Sequence, residues 1–325
     1  MPPLLAVVMD PPERLHPEKD TTRVLLEAAQ ERGWRLCYLP PSGLRLSAEG
    51  VVGRGFPLEV RPTASADWYH LGEECGLPLR EAAAVLLRSD PPFDLEYLHL
   101  THILEAARRN GTLVVNDPRG VRDHNEKLAI LRFPNFIPTT IVSRDLGHLE
   151  RFLAEEGRAV LKPLDAMGGE GIFVLAQDDP NRRVALETMT RGGKTSVMMQ
   201  RYLPEIRDGD ARVLVIDGQP FEHALVRVPA PGETRGNLAR GGRAHVRPLN
   251  AAERRAAEAI GPALREAGLL FVGLDLIGGF LTEINVTSPT GARELERATS
   301  TPVGARLIEA LQQRLEAARG NKARG

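Results

Sequence analysis

Leu4-Leu5-Ala6-Val7-Val8-Met9 is an uninterrupted apolar run that stops at Asp10-Pro11-Pro12. A strand with no polar position must be buried on both faces, which marks a parallel strand inside a sheet covered by helices. The pattern recurs along the first third of the chain. Asp20 and Thr21 are caps for a helix through Val24, Leu25, Leu26 and Ala28 that Gly33 stops, and Arg35 to Leu39 reads as a second strand. Ala83 to Leu87 is a third strand, Leu95 to Arg109 a helix closed by Asn110-Gly111, and Thr112 to Asn116 a fourth strand. This alternation predicts an open parallel sheet with helices on both faces. Ligands collect beyond the strand carboxyl ends of such sheets. The loops at Asp10 and at Asp90-Pro91-Pro92-Phe93-Asp94 lie there.

From about Arg122 the texture changes. A helix (Glu126 to Arg132), a strand (Thr140 to Val142), a helix (Leu146 to Gly157) and a strand (Arg158 to Lys162) lead into a glycine-rich loop. Strands Ile172 to Leu175 and Ser196 to Gln200 follow. Arg212 to Ile216 opens a third section, in which Asp217-Gly218 is a hairpin turn and Glu222 to Val228 the return strand. After a long loop, helices Ala251 to Ala267 and Pro302 to Ala318 flank a hairpin, Phe271 to Leu276 and Phe280 to Val286, turned by Gly278-Gly279.

Composition narrows the function classes. The chain has 325 residues, 42% hydrophobic and 26% charged, as expected for a soluble folded protein of two or three units. A net charge of −1 supplies no basic field for nucleic acid. No apolar stretch approaches the roughly 20 residues of a membrane span. The start lacks the features of a signal peptide. Cys37 and Cys75 are too few for a disulfide framework, so a reduced, cytoplasmic setting is expected. His99 and His102 share a helix face with no third ligand and receive no role. Of the 42 basic residues only Lys19, Lys127, Lys162, Lys194 and Lys322 are lysines. Against that arginine background, a surviving lysine marks a place where a compact ammonium is preferred to a planar fork.

Three segments carry chemistry. Lys162-Pro163-Leu164-Asp165-Ala166-Met167-Gly168-Gly169-Glu170-Gly171 delivers a lysine on a strand, then glycines that let the backbone approach phosphate oxygens. No Gly-Lys-Ser/Thr leads into a helix, so this is a flap between strands and not a P-loop. In Gly273-Leu274-Asp275 and Thr282-Glu283-Ile284-Asn285, residues two apart share a strand face, so Glu283 and Asn285 converge and Asp275 reaches them across the hairpin. Such a hard oxygen set suits magnesium. The loop from Arg227 to Arg243 carries four arginines among glycines, suited to gripping carboxylates and closing over an intermediate.

Taken in order, these segments resemble the bacterial glutathione synthetase family. The carrying stretches are Val8-Met9-Asp10-Pro11, Arg88-Ser89-Asp90-Pro91, Asn125-Glu126-Lys127-Leu128, Leu161-Lys162-Pro163, Gly232-Glu233-Thr234-Arg235-Gly236-Asn237, Gly273-Leu274-Asp275 and Thr282-Glu283-Ile284-Asn285-Val286-Thr287-Ser288-Pro289-Thr290. The resemblance implies an N-terminal Rossmann-like domain (residues 1–121) and a two-part ATP-grasp fold (122–201 and 202–325), α/β followed by α+β. It implies Mg²⁺-dependent use of ATP, with Mn²⁺ as an alternative, to join γ-glutamylcysteine to glycine in a homotetramer or homodimer. Carried over by position, Lys127, Lys162, Gly168, Gly169, Gln200, Tyr202, Leu203, Asp210, Asp275 and Asn285 would bind ATP. Asp275, Glu283 and Asn285 would hold the metal, and Arg212, Arg227, Arg235, Asn237, Ser288 and Thr290 the peptide. Lys162, Arg212 and Arg235 would act in phosphoryl transfer. The sequence departs from the family at Ala166, where glycine is usual, at Gly291-Ala292 and at Glu222-His223. The nearest alternatives are another ATP-grasp ligase, such as a D-alanine–D-alanine ligase, and a non-catalytic nucleotide-binding relative.

Overall fold

The computed structural model describes residues 2–63, 65, 67–166, 168–230 and 242–322. The opening apolar run is β1 (Leu4–Met9), within a sheet that also holds β2 (Arg35–Leu39), β3 (Leu44–Ser47), β4 (Gly50–Val60), β5 (Tyr69–Leu71), β6 (Cys75–Pro78), β7 (Ala84–Arg88) and β8 (Leu113–Val115). β1 lies between β2 and β7, parallel to both, and β8 is parallel to β7. The sheet is nevertheless mixed, which corrects the expectation of a purely parallel one. β4 runs antiparallel to β2 and pairs antiparallel with β3, β5 and β6. Its buried positions alternate in two stretches, Val51, Gly53 and Gly55 and then Leu58 and Val60, with the phase shifting at Phe56-Pro57, as in a strand with one more solvated face. Helices α1 (Thr21–Glu31) and α2 (Leu95–Arg109) are capped by Asp20 and Asp94, whose carboxylates accept from the amides of Arg23 and Tyr97.

Helix α3 (Pro118–Asp123) leads out of this sheet. The helix expected over Glu126 to Arg132 is instead a short 3₁₀ segment, Leu128–Arg132. Asn125 Oδ1 accepts from the amides of Lys127 and Leu128 and ties the chain into a side-chain turn, leaving too little length for an α-helix. A second sheet holds β9 (Thr140–Ser143), β10 (Arg158–Pro163), β11 (Phe173–Ala176) and β12 (Val197–Arg201) in the order β11-β10-β12-β9, all antiparallel. Helices α4 (Leu146–Glu156) and α5 (Arg182–Met189) bury Leu149, Leu153 and Leu186 against Leu161, Leu175 and Met199.

The third sheet is β15-β14-β13-β16-β17, antiparallel throughout, from β13 (Asp210–Ile216), β14 (Gln219–Val228), β15 (Arg243–Pro248), β16 (Phe271–Ile277) and β17 (Phe280–Asn285). Asp217 and Gly218 turn β13 into β14 with φ of 48° and 79°, the left-handed pair that a tight hairpin requires. β15, an edge strand rich in arginine, occupies the end of what reads in the sequence as loop. One face of this sheet is apolar: Val213, Val215, Leu274 and Leu276 pack with Ala256, Ile260 and Leu264 of α6 (Ala251–Glu266).

Side-chain hydrogen bonds and a shared core bind the C-terminal sheet to the N-terminal one. Asn116 donates to the carbonyls of Phe271 and Val286 and accepts from the amide of Phe271. After α7 (Ala292–Thr299), helix α8 (Val303–Lys322) returns to the start of the chain, where Leu307, Ile308 and Leu311 share a core with Leu5, Val7 and Leu25. Among the described residues no helix is long and apolar enough to cross a membrane, and Cys37 and Cys75 are free thiols, the first buried and the second exposed.

Candidate active site

The polar face of the third sheet is built by register. Arg212 on β13 lies directly opposite Asp275 on β16, Asp275 opposite Glu283 on β17, and Asp210 opposite Arg227 on β14. Cross-strand neighbours on one face are close enough to pair, and here they do. Arg212 grips Asp275 with both arms of its fork, Nε to Oδ1 at 2.5 Å and Nη2 to Oδ2 at 2.9 Å. Arg227 Nη2 bridges Asp210 Oδ2 (2.5 Å) and Asp275 Oδ2 (2.9 Å). Burial alone would raise the Asp275 carboxyl, but the two guanidiniums hold it well below the usual carboxylate range. Burial pushes Asp210 up to about 6, against the pull of Arg227. Two buried atoms of this cluster, Arg227 Nε and Asp210 Oδ1, have no hydrogen-bond partner among the described residues.

Opposite this face stands the second sheet. Between them is a cavity of about 150 Å³ lined by Lys162, Gly168, Gly169, Gln200, Tyr202 and Leu203 on one side and by Asp210, Arg212, Arg227, Asp275, Glu283 and Asn285 on the other. Val160, Ile172, Val174 and Ile206 supply an apolar wall, and the Arg158 guanidinium stacks 4.0 Å from the Tyr202 ring centre. Lys162 Nζ donates to Gln200 Oε1 at 2.5 Å. Burial pushes this ammonium down, opposed by Glu283. Gly168 and Gly169, with φ of 64° and 75°, adopt the left-handed backbone that lets the flap fold over the cavity.

Thirteen of the positions expected from sequence meet here. Lys127 reaches the cluster from its far side: Nζ donates to Glu283 Oε1 at 3.1 Å and to the carbonyl of Ala166 at 2.6 Å, so it ties the flap to β17. Ser288 and Thr290 stand one step away, between this cluster and the N-terminal sheet. The Thr290 carbonyl accepts from Arg212 Nη1, and Ser288 Oγ donates to the carbonyl of Arg88. Arg235 and Asn237 lie outside the described residues. The three metal-ligand candidates do adjoin, with Asn285 Nδ2 3.3 Å from Asp275 Oδ2. Each carboxylate of the three already faces a cation, Asp275 both arginines and Glu283 Oε1 the Lys127 ammonium, and each oxygen keeps a lone pair that a bound ion could use. The loops at Asp10 and Asp90 also meet, the Asp90 amide donating to Asp10 Oδ2 at 2.9 Å.

One residue of the site was not singled out from sequence. Glu126 lines the cavity and its Oε1 accepts from the amides of Val286 and Thr287 and from Thr287 Oγ1. Burial, then the nearby Glu283, pushes its carboxyl up. Its only sequence signal was its place beside Lys127.

A cleft between two antiparallel sheets, bordered by a glycine-rich flap and lined by a lysine, acids and arginines, defines an ATP-grasp enzyme, an ATP-dependent ligase. Solved structures agree on the fold: D-cycloserine synthetase DcsG superposes with a TM-score of 0.67 at 18% identity, covering 96% of this chain and 99% of that one. Two family models match: "Prokaryotic glutathione synthetase, N-terminal domain" over residues 4–122 and "Prokaryotic glutathione synthetase, ATP-grasp domain" over residues 126–300. Glutathione synthetase of Pseudomonas aeruginosa is 50% identical over 313 residues, 96% of this chain and 98% of that one. That of Nitrosomonas europaea is 47% identical over 313 residues, with the same coverage. The chain belongs to the prokaryotic glutathione synthetase family.

Proposed function

We propose that the cavity couples ATP cleavage to the joining of γ-glutamylcysteine and glycine, with glutathione, ADP and phosphate as products. The observation that carries this reading is the charged face itself. Two guanidiniums and two carboxylates, locked by strand register, look across one space at the Lys162 ammonium, and among the described residues Arg227 Nε and Asp210 Oδ1 have no partner.

Tyr202, Leu203 and Gln200 receive the adenine, and Lys127, Lys162, Gly168 and Gly169 the phosphates. Arg212, Arg227, Ser288 and Thr290 hold the peptide, with Arg235 and Asn237 from the segment outside the described residues. Glu283 and Asn285 fit Mg²⁺, or Mn²⁺, because they are few, hard and open to phosphate oxygens, and Asp275 adds negative charge behind them. When bound, the ion would withdraw charge from phosphoryl oxygens. A free carboxylate is a poor electrophile. Its oxygen attacks the γ-phosphorus, the bond to ADP breaks, and an acyl phosphate results, while Lys162 and Arg212 offset the charge. The glycine nitrogen then attacks the acyl carbon and loses a proton as the carbon–oxygen bond to phosphate breaks. The flap keeps water from the acyl phosphate. The free thiols and the family resemblance support a cytoplasmic enzyme, and the resemblance a homotetramer or homodimer.

Purified protein given ATP, Mg²⁺, γ-glutamylcysteine and glycine is expected to release phosphate only when peptide and amine are both present. Turnover with D-alanine alone, or none with any acceptor, overturns the assignment. Glu283→Ala is expected to keep the circular dichroism of the fold and lose Mg²⁺-dependent turnover; undiminished activity would place the metal elsewhere.

A further inference from the structure

The segment from Ser288 to Ala292 follows β17, the strand of Glu283 and Asn285, and is held from two sides. From the third sheet, Arg212 Nη1 donates to the Thr290 carbonyl at 3.3 Å. The N-terminal sheet and its first helix supply the other grip. Arg88, at the carboxyl end of β7, donates from Nη2 to the Pro289 carbonyl at 3.1 Å and from Nε to Thr22 Oγ1 at 3.1 Å. Thr21, the first residue of α1, accepts at Oγ1 from the amides of Gly291 (3.1 Å) and Ala292 (3.2 Å). Every group gripped on the segment by Arg88, Thr21 and Arg212 is backbone. The clasp therefore does not depend on the side chains at Gly291-Ala292, where the sequence departs from the family.

Arg88 is an unusual choice for holding a carbonyl. Its side chain is buried, and among the described residues its charge meets a hydroxyl, a carbonyl and the Phe271 ring 5.7 Å away, not a carboxylate at contact distance. Its Nη1 is buried with no partner among those residues. Such a cation carries a desolvation cost and adds little stability that an apolar side chain of similar volume would not. What a planar fork supplies is directed reach, here from α1 to Pro289. The segment it steadies contains the two residues assigned above to the peptide, Ser288 and Thr290. Pro289 is buried and Thr290 is exposed, so Thr290 is presented from a backbone fixed on both sides.

We propose that Arg88, with Thr21 and Thr22, is a positioning group for the peptide substrate, setting the place of Ser288 and Thr290 from the N-terminal sheet. Arg88 does not line the ATP cavity and acts only through this segment. The proposal rests on the ligase reading above. It gives the N-terminal sheet a share in peptide affinity and none in nucleotide affinity.

Arg88→Met keeps the unbranched stem and removes both the donors and the buried charge. The KM for γ-glutamylcysteine is expected to rise roughly 10- to 100-fold, the worth of one charge-assisted contact. The Kd for ATP, measured by equilibrium dialysis without peptide, is expected to stay as in the parent protein. A residue that merely supports the fold would move both constants or neither. An unchanged peptide KM therefore overturns the proposal, and so does an ATP Kd that weakens as much as the peptide KM. Thr21→Val keeps the side-chain volume and removes the acceptor of the Gly291 and Ala292 amides. It is expected to give the same split between the two constants, and it serves alone should Arg88→Met not fold; a Thr21→Val protein with the parent's peptide KM overturns the proposal. Failure of the parent protein to ligate γ-glutamylcysteine to glycine would refute the ligase reading instead.

Discussion

The two walls of the ATP cavity handle charge in opposite ways. On the third sheet, Asp210, Arg212, Arg227 and Asp275 are paired with one another by strand register, so their geometry is set before any ligand arrives. On the second sheet, Lys162 is buried with one neutral partner, Gln200, and its ammonium is pushed down by that burial. The first wall is a preassembled receptor in which ions satisfy each other. The second is incomplete until an anion comes. A phosphate-binding site needs both: rigid donors that do not reorganise, and a cation with no competing anion of its own.

Breaking the preassembled wall is expected to have the largest effect. Asp275→Ala leaves the buried Arg212 guanidinium without its ion pair and Arg227 with Asp210 alone among its two partners, and stability is expected to fall by about 3–5 kcal/mol in urea titrations. An unchanged midpoint would show that the pairs are not what holds this wall. Lys162→Met targets the opposite wall, where no ion pair is lost. Turnover is expected to drop by roughly 100-fold or more with little change in thermal midpoint; a midpoint that falls as far as that of Asp275→Ala would erase the contrast. The smallest effect is on pH dependence. Asp210 titrates at about 6 when folded and near the ordinary carboxylate value when unfolded, so the folded state holds the extra proton between them. This group therefore makes stability fall as pH rises from about 4 to 6. In Asp210→Asn that part of the decline is expected to vanish from thermal scans, and parallel curves for the two proteins would contradict the assignment.

How much of this was legible beforehand depended on how local each signal was. β1 and β7 are continuous apolar runs and announced a buried parallel sheet. β4 and its partners were missed because glycines and prolines interrupt an alternating pattern that only neighbouring strands make sense of. β15 was read as loop because an exposed arginine-rich edge strand has no apolar face to show. Glu283 and Asn285 were readable from spacing, since strand period alone puts them together. The pairing of Asp275 with Arg212 is not readable from that spacing, because the partner strand β13 enters more than 60 residues earlier in the chain.

The sequence by itself determined the parallel strands β1, β2, β7 and β8, the C-terminal hairpins and the family, because each depends on residues close together or on motifs in series. Only the tertiary structure decided which charges neutralise one another. It also returned α8 to the first sheet and fastened the end of β17 to Glu126. Those outcomes depend on contacts across the folded sheets, 63 positions apart for Arg212 with Asp275 and 161 for Glu126 with Thr287. No local pattern encodes such a contact, because it is formed when sheets pack and not when strands form.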